Sequence, residues 1–283
     1  MVGDEVKGVA GILNGTCNFI LSEMEAKGAA FADVLSDAQR MGYAEANPTM
    51  DIGGFDAAHK VTILAALAFG CAPAYAAAEI EGIESVDALD IRLARDLGYR
   101  IRLIASADLS AEGVAVRVHP SLVPEGHPLA ETRGALNALY IEGARIGRIF
   151  VQGPGAGSGP TAAAVAADIA DVMTGASRPV FQAPAAALKP FVAVAPTRRV
   201  GKAYLRLLVK DQAGVIAAVS ETLAECGVSI DSFLQKPVED AGGVPIVLTT
   251  HAIAESVLTD AINRIEKLPA VLERPRLLRI ARI

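Results

Sequence analysis

The strongest constraint on the fold is the order of apolar segments in residues 201–283. Short runs rich in β-branched residues alternate there with longer segments whose apolar residues recur at helical spacing. The predicted strands are Ala203–Lys210, Ser229–Pro237, Val244–His251 and Leu272–Ile280. One predicted helix, Val215–Glu225, follows the first strand, and the other, Ala254–Leu268, precedes the last. The second and third strands bracket a turn at Asp240–Gly243. This βαββαβ order is typical of the split βαβ, or ferredoxin-like, fold. We therefore predict a small module at residues 201–283.

The preceding part, residues 1–178, mixes helical and extended patterns, which predicts a mixed β-sheet with covering helices. The predicted helices are Thr16–Lys27, Phe31–Met41, Phe55–Phe69 and Thr161–Thr174, and the predicted strands are Arg100–Ala107, Val114–His119, Leu136–Glu142 and Gly147–Gln152. Residues 179–200 are rich in proline and alanine without a steady period, as in an extended linker. The expected fold class is α+β, with two domains and a linker between them.

Composition limits the partners and the compartment. The chain of 283 residues has a formal net charge of −6, and its basic residues are scattered. We therefore expect neither nucleic acid nor an anionic membrane as a partner. The three cysteines are far apart and form neither a disulfide framework nor a CxxC site, which favours a reducing cytoplasm. The acidic N-terminus is untypical of a secretion signal. The uncharged stretch 61–78 contains glycine and proline, as in a buried helix rather than a membrane span.

The densest polar cluster lies at residues 42–60. Glu45 and Asp51 fall in a loop rich in proline and glycine, whereas Asp56 and Lys60 are four residues apart and share one face of the next helix. One interpretation is a solvated surface pair. The other is a functional site, because the apolar residues that follow Lys60 place it where solvent gives way to core. There the lysine would exchange a proton with a substrate oxygen, and the carboxylates would hold an ammonium group.

Two further segments are weaker candidates. The glycine-rich run 153–161 lies between a strand and a helix, where backbone amides can receive an anion or the polar edge of a cofactor. It does not match the G-x-G-x-x-G fingerprint, and pattern alone favours a flexible turn. In the segment 12–18, Asn14 or Thr16 is expected to cap a helix, and Cys17 has no base beside it that would make it a nucleophile. The four histidines lack ligand spacing, so no metal site is predicted.

The loop Lys210–Val215 joins the first strand and first helix of the C-terminal module. Glycine at position 214 would let a small amino acid approach the backbone amides at the helix start, with Asp211 and Val215 beside it. An ordinary βα turn is the alternative that the pattern leaves open.

Several of these segments together resemble homoserine dehydrogenase. The matching segments are Gly11–Ile20, Gly42–Thr49, Gly54–Lys60, Val118–Pro124, His127–Ala130 and Gly153–Ala162. They occur in the family's order and span the chain from its first residues to about Thr174. Cys17 and Asn47 replace residues that are commonly Thr and Asp in the family. The C-terminal module resembles an ACT domain, a regulatory module that binds amino acids.

The resemblance implies a role for each matching position. Lys60 matches the catalytic lysine of the family. The substrate-binding residues implied are Glu45, Asp51, Asp56, Gly15 and Thr16, and the cofactor-binding residues implied are Gly42 and Gly155. The implied reaction is the NAD(P)-dependent interconversion of L-homoserine and L-aspartate 4-semialdehyde. The implied effector of the ACT module is threonine, at Asp211, Gly214 and Val215, and the implied assembly is a homodimer or tetramer.

In this family an N-terminal Rossmann domain binds most of the cofactor and determines the choice between NAD and NADP. Residues 1–283 include no counterpart of the Rossmann domain. The resemblance therefore implies that the chain alone is inactive and binds little NAD(P). Two alternatives remain beside a truncated enzyme. One is an enzyme split over two chains, and the other is a non-catalytic, amino-acid-binding regulatory protein.

The predicted helix Thr161–Thr174 has one apolar face, formed by Val165, Ile169, Val172 and Met173. By resemblance this face would pack against the Rossmann domain. We therefore expect it to be exposed in this chain, and to promote self-association or leave the helix mobile.

Overall fold

The computed structural model describes residues 3–175, 180–181, 183–236 and 242–283. The strands of its first part are β1 (Val6–Ile12), β2 (Glu79–Ile80), β3 (Tyr99–Ser110), β4 (Gly113–Pro124), β5 (Leu136–Gly143) and β6 (Gly147–Pro154). Those of its second part are β7 (Val200–Gly201), β8 (Ala203–Val209), β9 (Ile230–Gln235), β10 (Val244–Thr250), β11 (Ile253–Ala254) and β12 (Arg276–Ile280). The helices are α1 (Gly15–Lys27), α2 (Phe31–Arg40), α3 (Thr49–Ile52), α4 (Phe55–Phe69), α5 (Ala88–Asp96), α6 (Pro128–Glu131), α7 (Ser158–Met173), α8 (Val215–Glu225) and α9 (Glu255–Ile265).

One sheet of ten strands runs through both parts of the chain. Its order is β6-β5-β1-β3-β4-β12-β8-β10-β9, with β2 also pairing with β4. The pairs β2–β4 and β4–β12 are parallel and the others are antiparallel. The mixed sheet with covering helices and the βαββαβ order of the second part confirm the predicted α+β class.

Strand β1 was not predicted, although it is central to the first part. It lies between β3 and β5, and six of its seven residues are buried. A strand buried on both faces shows no alternation of apolar and polar residues, which is the usual signal of a strand. Gly11 serves close packing, since a Cβ there would lie 2.5 Å from the carbonyl oxygen of Ala138 on β5.

The described part of the predicted linker is only partly extended, because it contains short 3-10 helices at Ala185–Ala187 and Pro196–Arg198, and it is fastened to the first part. The Lys189 amide donates to the Gly70 carbonyl at 3.0 Å, and the Ala72 amide donates to the Lys189 carbonyl at 2.8 Å. Farther on, the Val194 amide donates to the Val114 carbonyl at 3.1 Å, and the Val194 side chain is buried. Positions 176–179 and 182, which include the predicted boundary between domain and linker, lie outside the described residues. The three domain ranges therefore stay a proposal.

A buried polar contact joins the two parts. Asp90, on α5, is completely buried and accepts hydrogen bonds from Arg206 Nε at 2.7 Å and from the Tyr204 hydroxyl at 2.9 Å, both on β8. Burial raises the pKa of Tyr204, and the neighbouring Asp90 carboxylate adds to that effect. The opposite face of this half of the sheet packs on α8 and α9 through a separate apolar core.

In the described ranges, no helix is both long and apolar enough to cross a lipid bilayer.

Candidate active site

Asn14 lies between β1 and α1, at the centre of the polar cluster. Its side-chain oxygen accepts a hydrogen bond from the Cys17 amide at 2.9 Å, which caps α1. Its side-chain nitrogen donates to Asp51 Oδ1 at 2.8 Å and to Asp56 Oδ2 at 2.9 Å. The sequence predicts the cap but not the two bridges, because they join residues far apart along the chain.

Lys60 lies in the second turn of α4, one turn beyond Asp56. Its ammonium group donates to Asp56 Oδ2 at 2.7 Å and to the Leu13 carbonyl at 3.0 Å. A lysine ammonium carries three N–H donors. These two bonds fix its position and leave one donor for another oxygen.

The expected burial of α4 beyond Lys60 is only partly correct. Val61 is buried, but the side chains of Ile63 and Leu67 are 49% and 38% exposed. The helix packs on the sheet along one side only, so its apolar residues do not all face the core. Lys60 nevertheless lies at the edge of the core, between a buried and an exposed side of the helix.

Most of the predicted site residues line one cleft of about 590 Å³. Its walls come from the start of α1, the loop after α2, the first turns of α3 and α4, and the loop between β6 and α7. The predicted residues in the lining are Gly15, Thr16, Gly42, Asp51, Asp56, Lys60 and Gly155. The Thr16 hydroxyl donates to the Tyr43 carbonyl at 2.9 Å, which joins α1 to the loop after α2. Glu45, from the same loop, is exposed and lies outside the lining.

Two glycines of the cleft wall lie close to neighbouring atoms, and at Gly15 the neighbour is backbone that cannot move aside. A Cβ at Gly15 would lie 2.6 Å from the Ala135 carbonyl oxygen, and one at Gly155 would lie 2.1 Å from Asn137 Nδ2. Gly42 differs, because it adopts a φ of +78° and faces open space. The glycine-rich run is therefore part of the cleft wall and not a free surface turn.

Asn137, on β5, is a cleft residue that the sequence pattern did not reveal. Its side-chain oxygen is buried and has no hydrogen-bond partner among the described residues. A buried amide oxygen without a partner is unfavourable, so it is a candidate acceptor for a ligand. Nothing in the local pattern of β5 distinguishes this asparagine from a surface residue.

The structure gives Cys17 a structural role. Its thiol is buried and donates to the Asp51 carbonyl at 3.0 Å. Burial, with the charges of Asp51 and Asp56 beside it, raises the pKa of the thiol well above its usual value. The thiol therefore stays protonated and unreactive near neutral pH.

In the described part of the chain, no group of three or more His, Cys, Asp and Glu side chains is arranged to hold a metal ion.

The predicted regulatory loop lies in the second part, away from this cleft. Gly214 adopts a φ of +90° and immediately precedes α8. Asp211 is exposed, and Val215 is buried in the core below the helix. A side chain at position 214 would meet open space, so the loop is accessible to a small ligand.

Comparisons with known proteins agree on the family. The family model described as homoserine dehydrogenase matches residues 1–170, and the ACT domain model matches residues 203–270. The chain belongs to the homoserine dehydrogenase family. It is 42% identical over 286 residues to the homoserine dehydrogenase of Neisseria gonorrhoeae, covering 97% of this chain and 64% of that protein. The homoserine dehydrogenase of Pseudomonas aeruginosa is 42% identical over 275 residues, covering 95% of this chain and 63% of that protein.

Solved homoserine dehydrogenases have the same fold. The crystal structure from Thiobacillus denitrificans superposes with a TM-score of 0.92 at 42% identity, over 99% of this chain and 65% of that one. A hyperthermophilic archaeal homoserine dehydrogenase, solved in complex with NADPH, gives a TM-score of 0.52 at 28% identity, over 62% of this chain and 50% of that one. The chain spans just under two thirds of the length of the first relatives that it matches.

Proposed function

We propose that this chain carries the amino-acid side of the homoserine dehydrogenase reaction, the NAD(P)-dependent interconversion of L-homoserine and L-aspartate 4-semialdehyde. The reaction belongs to the biosynthesis of threonine, methionine and isoleucine. The observation that carries the proposal is the position of Lys60 beside Asp56 and Asp51 in one cleft with Gly15, Thr16, Gly42 and Gly155.

The two carboxylates suit the ammonium group of an amino acid. Asn14 and Lys60 bond to one oxygen of Asp56, Asn14 bonds to one oxygen of Asp51, and no side chain in the described ranges donates to the other two oxygens, which can accept from a substrate. A substrate held at both is fixed in orientation, which lowers the entropic part of the barrier. Glu45 would contact the substrate only after a movement of the loop after α2, because its side chain lies outside the cleft.

Lys60 is the group that handles the proton of the substrate oxygen. In the reduction of the semialdehyde, the Lys60 ammonium donates a proton to the substrate oxygen as the hydroxyl forms, and in the oxidation of homoserine the same proton returns to Lys60. Its contacts with Asp56 and the Leu13 carbonyl hold Nζ in place for that transfer. The chemistry that the bound cofactor would supply is the transfer of the hydride.

The cleft has room and polar groups for the nicotinamide end of NAD(P). Gly42 leaves open space at its wall, and the orphaned side-chain oxygen of Asn137 can accept from a carboxamide N–H. Gly42 and Gly155, which both line the cleft, would contact the cofactor. We place most of the cofactor contacts in the part of the relatives that this chain does not span.

The test is Lys60→Ala in a protein that joins this chain to the NAD(P)-binding domain of a relative. We expect kcat to fall at least about a hundredfold, which is the usual scale for a positioned acid–base group. Asp56→Ala and Glu45→Ala should act mainly by raising KM. Lys27→Ala is the matched control, since Lys27 forms a surface pair with Glu23 at the same i,i+4 spacing. Near-normal turnover of Lys60→Ala would remove the catalytic assignment.

The C-terminal module has a regulatory role in this proposal. The match to the ACT family, together with the accessible loop at Asp211, Gly214 and Val215, supports binding of an amino acid there. Threonine is the proposed effector, because it is an end product of the proposed pathway. We further propose a homodimer or tetramer in the cytoplasm.

A further inference from the structure

Asn14 connects the two carboxylates of the cleft, and we propose that it is the positioning residue that holds Asp51 and Asp56 at the separation an ammonium group requires. The inference deepens the proposed function and rests on it for the identity of the substrate. It assigns Asn14 a role beyond the helix cap that its sequence position predicts.

The orientation of the Asn14 amide follows from its contacts. Its Oδ1 accepts from the Cys17 backbone N–H, which can only donate, so the opposite end of the amide must be the nitrogen. That nitrogen has two hydrogens, and one goes to each carboxylate, at 2.8 Å to Asp51 and 2.9 Å to Asp56. All the hydrogen-bonding groups of a buried side chain are thereby engaged, and a rotation of the amide by 180° would break all three contacts.

The two carboxylates need such a donor because their charges repel each other. Lys60 neutralises Asp56 but forms no described contact with Asp51. In the ranges that the structure covers, Asn14 is the one side chain that donates to the Asp51 carboxylate. Asn14 therefore links Asp51 to the Asp56–Lys60 pair without adding a charge that would compete with the substrate.

The two roles of Asn14, helix cap and bridge between carboxylates, predict opposite effects of Asn14→Asp on the stability of the folded chain. If it served only as a cap, Asn14→Asp would be neutral or stabilising, because aspartate caps helices as well as asparagine does and its charge favours a helix N-terminus. If it bridges the carboxylates, the same substitution removes both donors and places a third negative charge between Asp51 and Asp56.

The first experiment is therefore thermal unfolding of the 283-residue chain, its Asn14→Asp variant and its Asn14→Ser variant across pH. We expect Asn14→Asp to melt below the unsubstituted chain at neutral pH, with the difference disappearing towards about pH 3, where carboxylates are protonated. Asn14→Ser retains a good cap and adds no charge but loses both donors, so it should melt below the unsubstituted chain at neutral pH by less than Asn14→Asp does, and this difference should also shrink as the carboxylates are protonated. An Asn14→Asp variant as stable as the unsubstituted chain at neutral pH would overturn the proposal.

The second experiment measures L-homoserine affinity by calorimetry with the folded Asn14→Ser variant. Serine preserves the cap but is too short to reach both carboxylates, so the dissociation constant should rise about tenfold or more, as expected when binding groups are misplaced. Asn263→Ser, on α9, is the matched control and should leave the affinity unchanged. Unchanged affinity in Asn14→Ser would overturn the positioning role.

The two experiments separate this inference from the proposed function. If the unsubstituted chain shows no homoserine binding, the substrate assignment fails, and the pH dependence of Asn14→Asp still decides whether Asn14 bridges the carboxylates. If the chain binds homoserine and both Asn14 variants behave as the cap alone predicts, the proposed function stands and the role of Asn14 is wrong.

Discussion

His119, on β4, is buried in a setting that keeps its ring neutral. Ser121 Oγ lies 3.1 Å from the His119 carbonyl oxygen, to which it can donate. His119 Nδ1 and Ser121 Oγ also share a hydrogen bond of 2.8 Å, in which either atom can be the donor according to the tautomer of the ring. Burial lowers the pKa of His119 well below its usual value, and the positive charges of Arg279 and Arg117 lower it further.

This shift predicts a loss of stability on the acid side of neutrality. In the unfolded chain His119 gains a proton below about pH 6.5, whereas in the folded chain it stays neutral to a much lower pH. The unfolded state therefore binds more protons, and the free energy of unfolding falls as the pH drops below that point. His119→Asn, whose amide can bond to Ser121 Oγ as donor or as acceptor, should lessen this dependence between about pH 7.5 and 5 in urea unfolding. The exposed His251→Asn is the control, and an unaltered slope in His119→Asn would contradict the prediction.

At the scale of single residues, the sequence predicts contacts between side chains that are close along the chain. The i,i+4 spacing correctly predicts that Asp56 and Lys60 share a helix face, and their contact follows from it. Asn14 and Asn137 were not foreseen as site residues, because their partners come from other elements and their local patterns are those of a cap and a strand. The roles of the residues around the cleft stay predictions, although the structure brings all of them except Glu45 together.

Among the elements, α7 is unusual because none of its residues is buried and all of them except Pro160 are exposed. The predicted apolar face is present, with Val165 and Ile169 about half exposed (53% and 55%) and Val172 and Met173 more than three quarters exposed (80% and 83%). Burying each such side chain is worth roughly 1.5–3 kcal/mol. An uncovered face of this size favours association.

We therefore expect the 283-residue chain to self-associate through α7. Val165→Ser/Ile169→Ser should lower the apparent mass in light scattering, because it replaces two apolar side chains of the face. Ile216→Ser is the matched control, since Ile216 is an exposed apolar residue on another helix, α8. Scattering that the double substitution leaves unaltered would exclude this face as the association surface.

The predicted elements agree with the structure where their signals are local. Gly28 and Gly70 end α1 and α4 in the left-handed conformation expected of a C-terminal glycine. Helix α5 was missed because it buries Asp90, which interrupts its apolar pattern. That burial is favourable only because Tyr204 and Arg206 reach Asp90 from β8, so no local reading of the sequence could have revealed it.

At the scale of the whole molecule, the two parts form one sheet where the sequence predicts two domains and a linker. The pairing of β12 with β4 and the buried Asp90–Arg206 contact join them. A charge buried in this way is strongly destabilising once its partner is removed, often by about 3–5 kcal/mol. Ligand binding in the C-terminal module would therefore act on a sheet that continues to the strand beside the cleft, β1.

Binding of threonine to the regulatory loop is testable on the complete chain. We expect heat on calorimetric titration with threonine and its loss in Gly214→Val, because valine is strained at a φ of +90° and covers the loop amides. Gly98→Val is the matched control, with a φ of +80° in similarly open space outside the module. Equal loss of binding in both variants, or no heat with threonine or any other amino acid, would contradict the proposed effector site.

The position of β12 has a consequence for the order in which the protein folds during synthesis. Strand β4 is translated early, but its neighbour on one side is β12, whose Arg279 pairs with Ser121. At typical rates of translation, the ribosome needs on the order of 10 s or more to produce the intervening residues. Throughout that interval the Ser121–Leu122 end of β4 lacks its partner, since β2 pairs with the same edge only at Arg117 and Val118, and such an unpaired end is a template for mispairing with other chains. A chaperone that shields this edge until β12 emerges would therefore raise the yield of correctly folded protein.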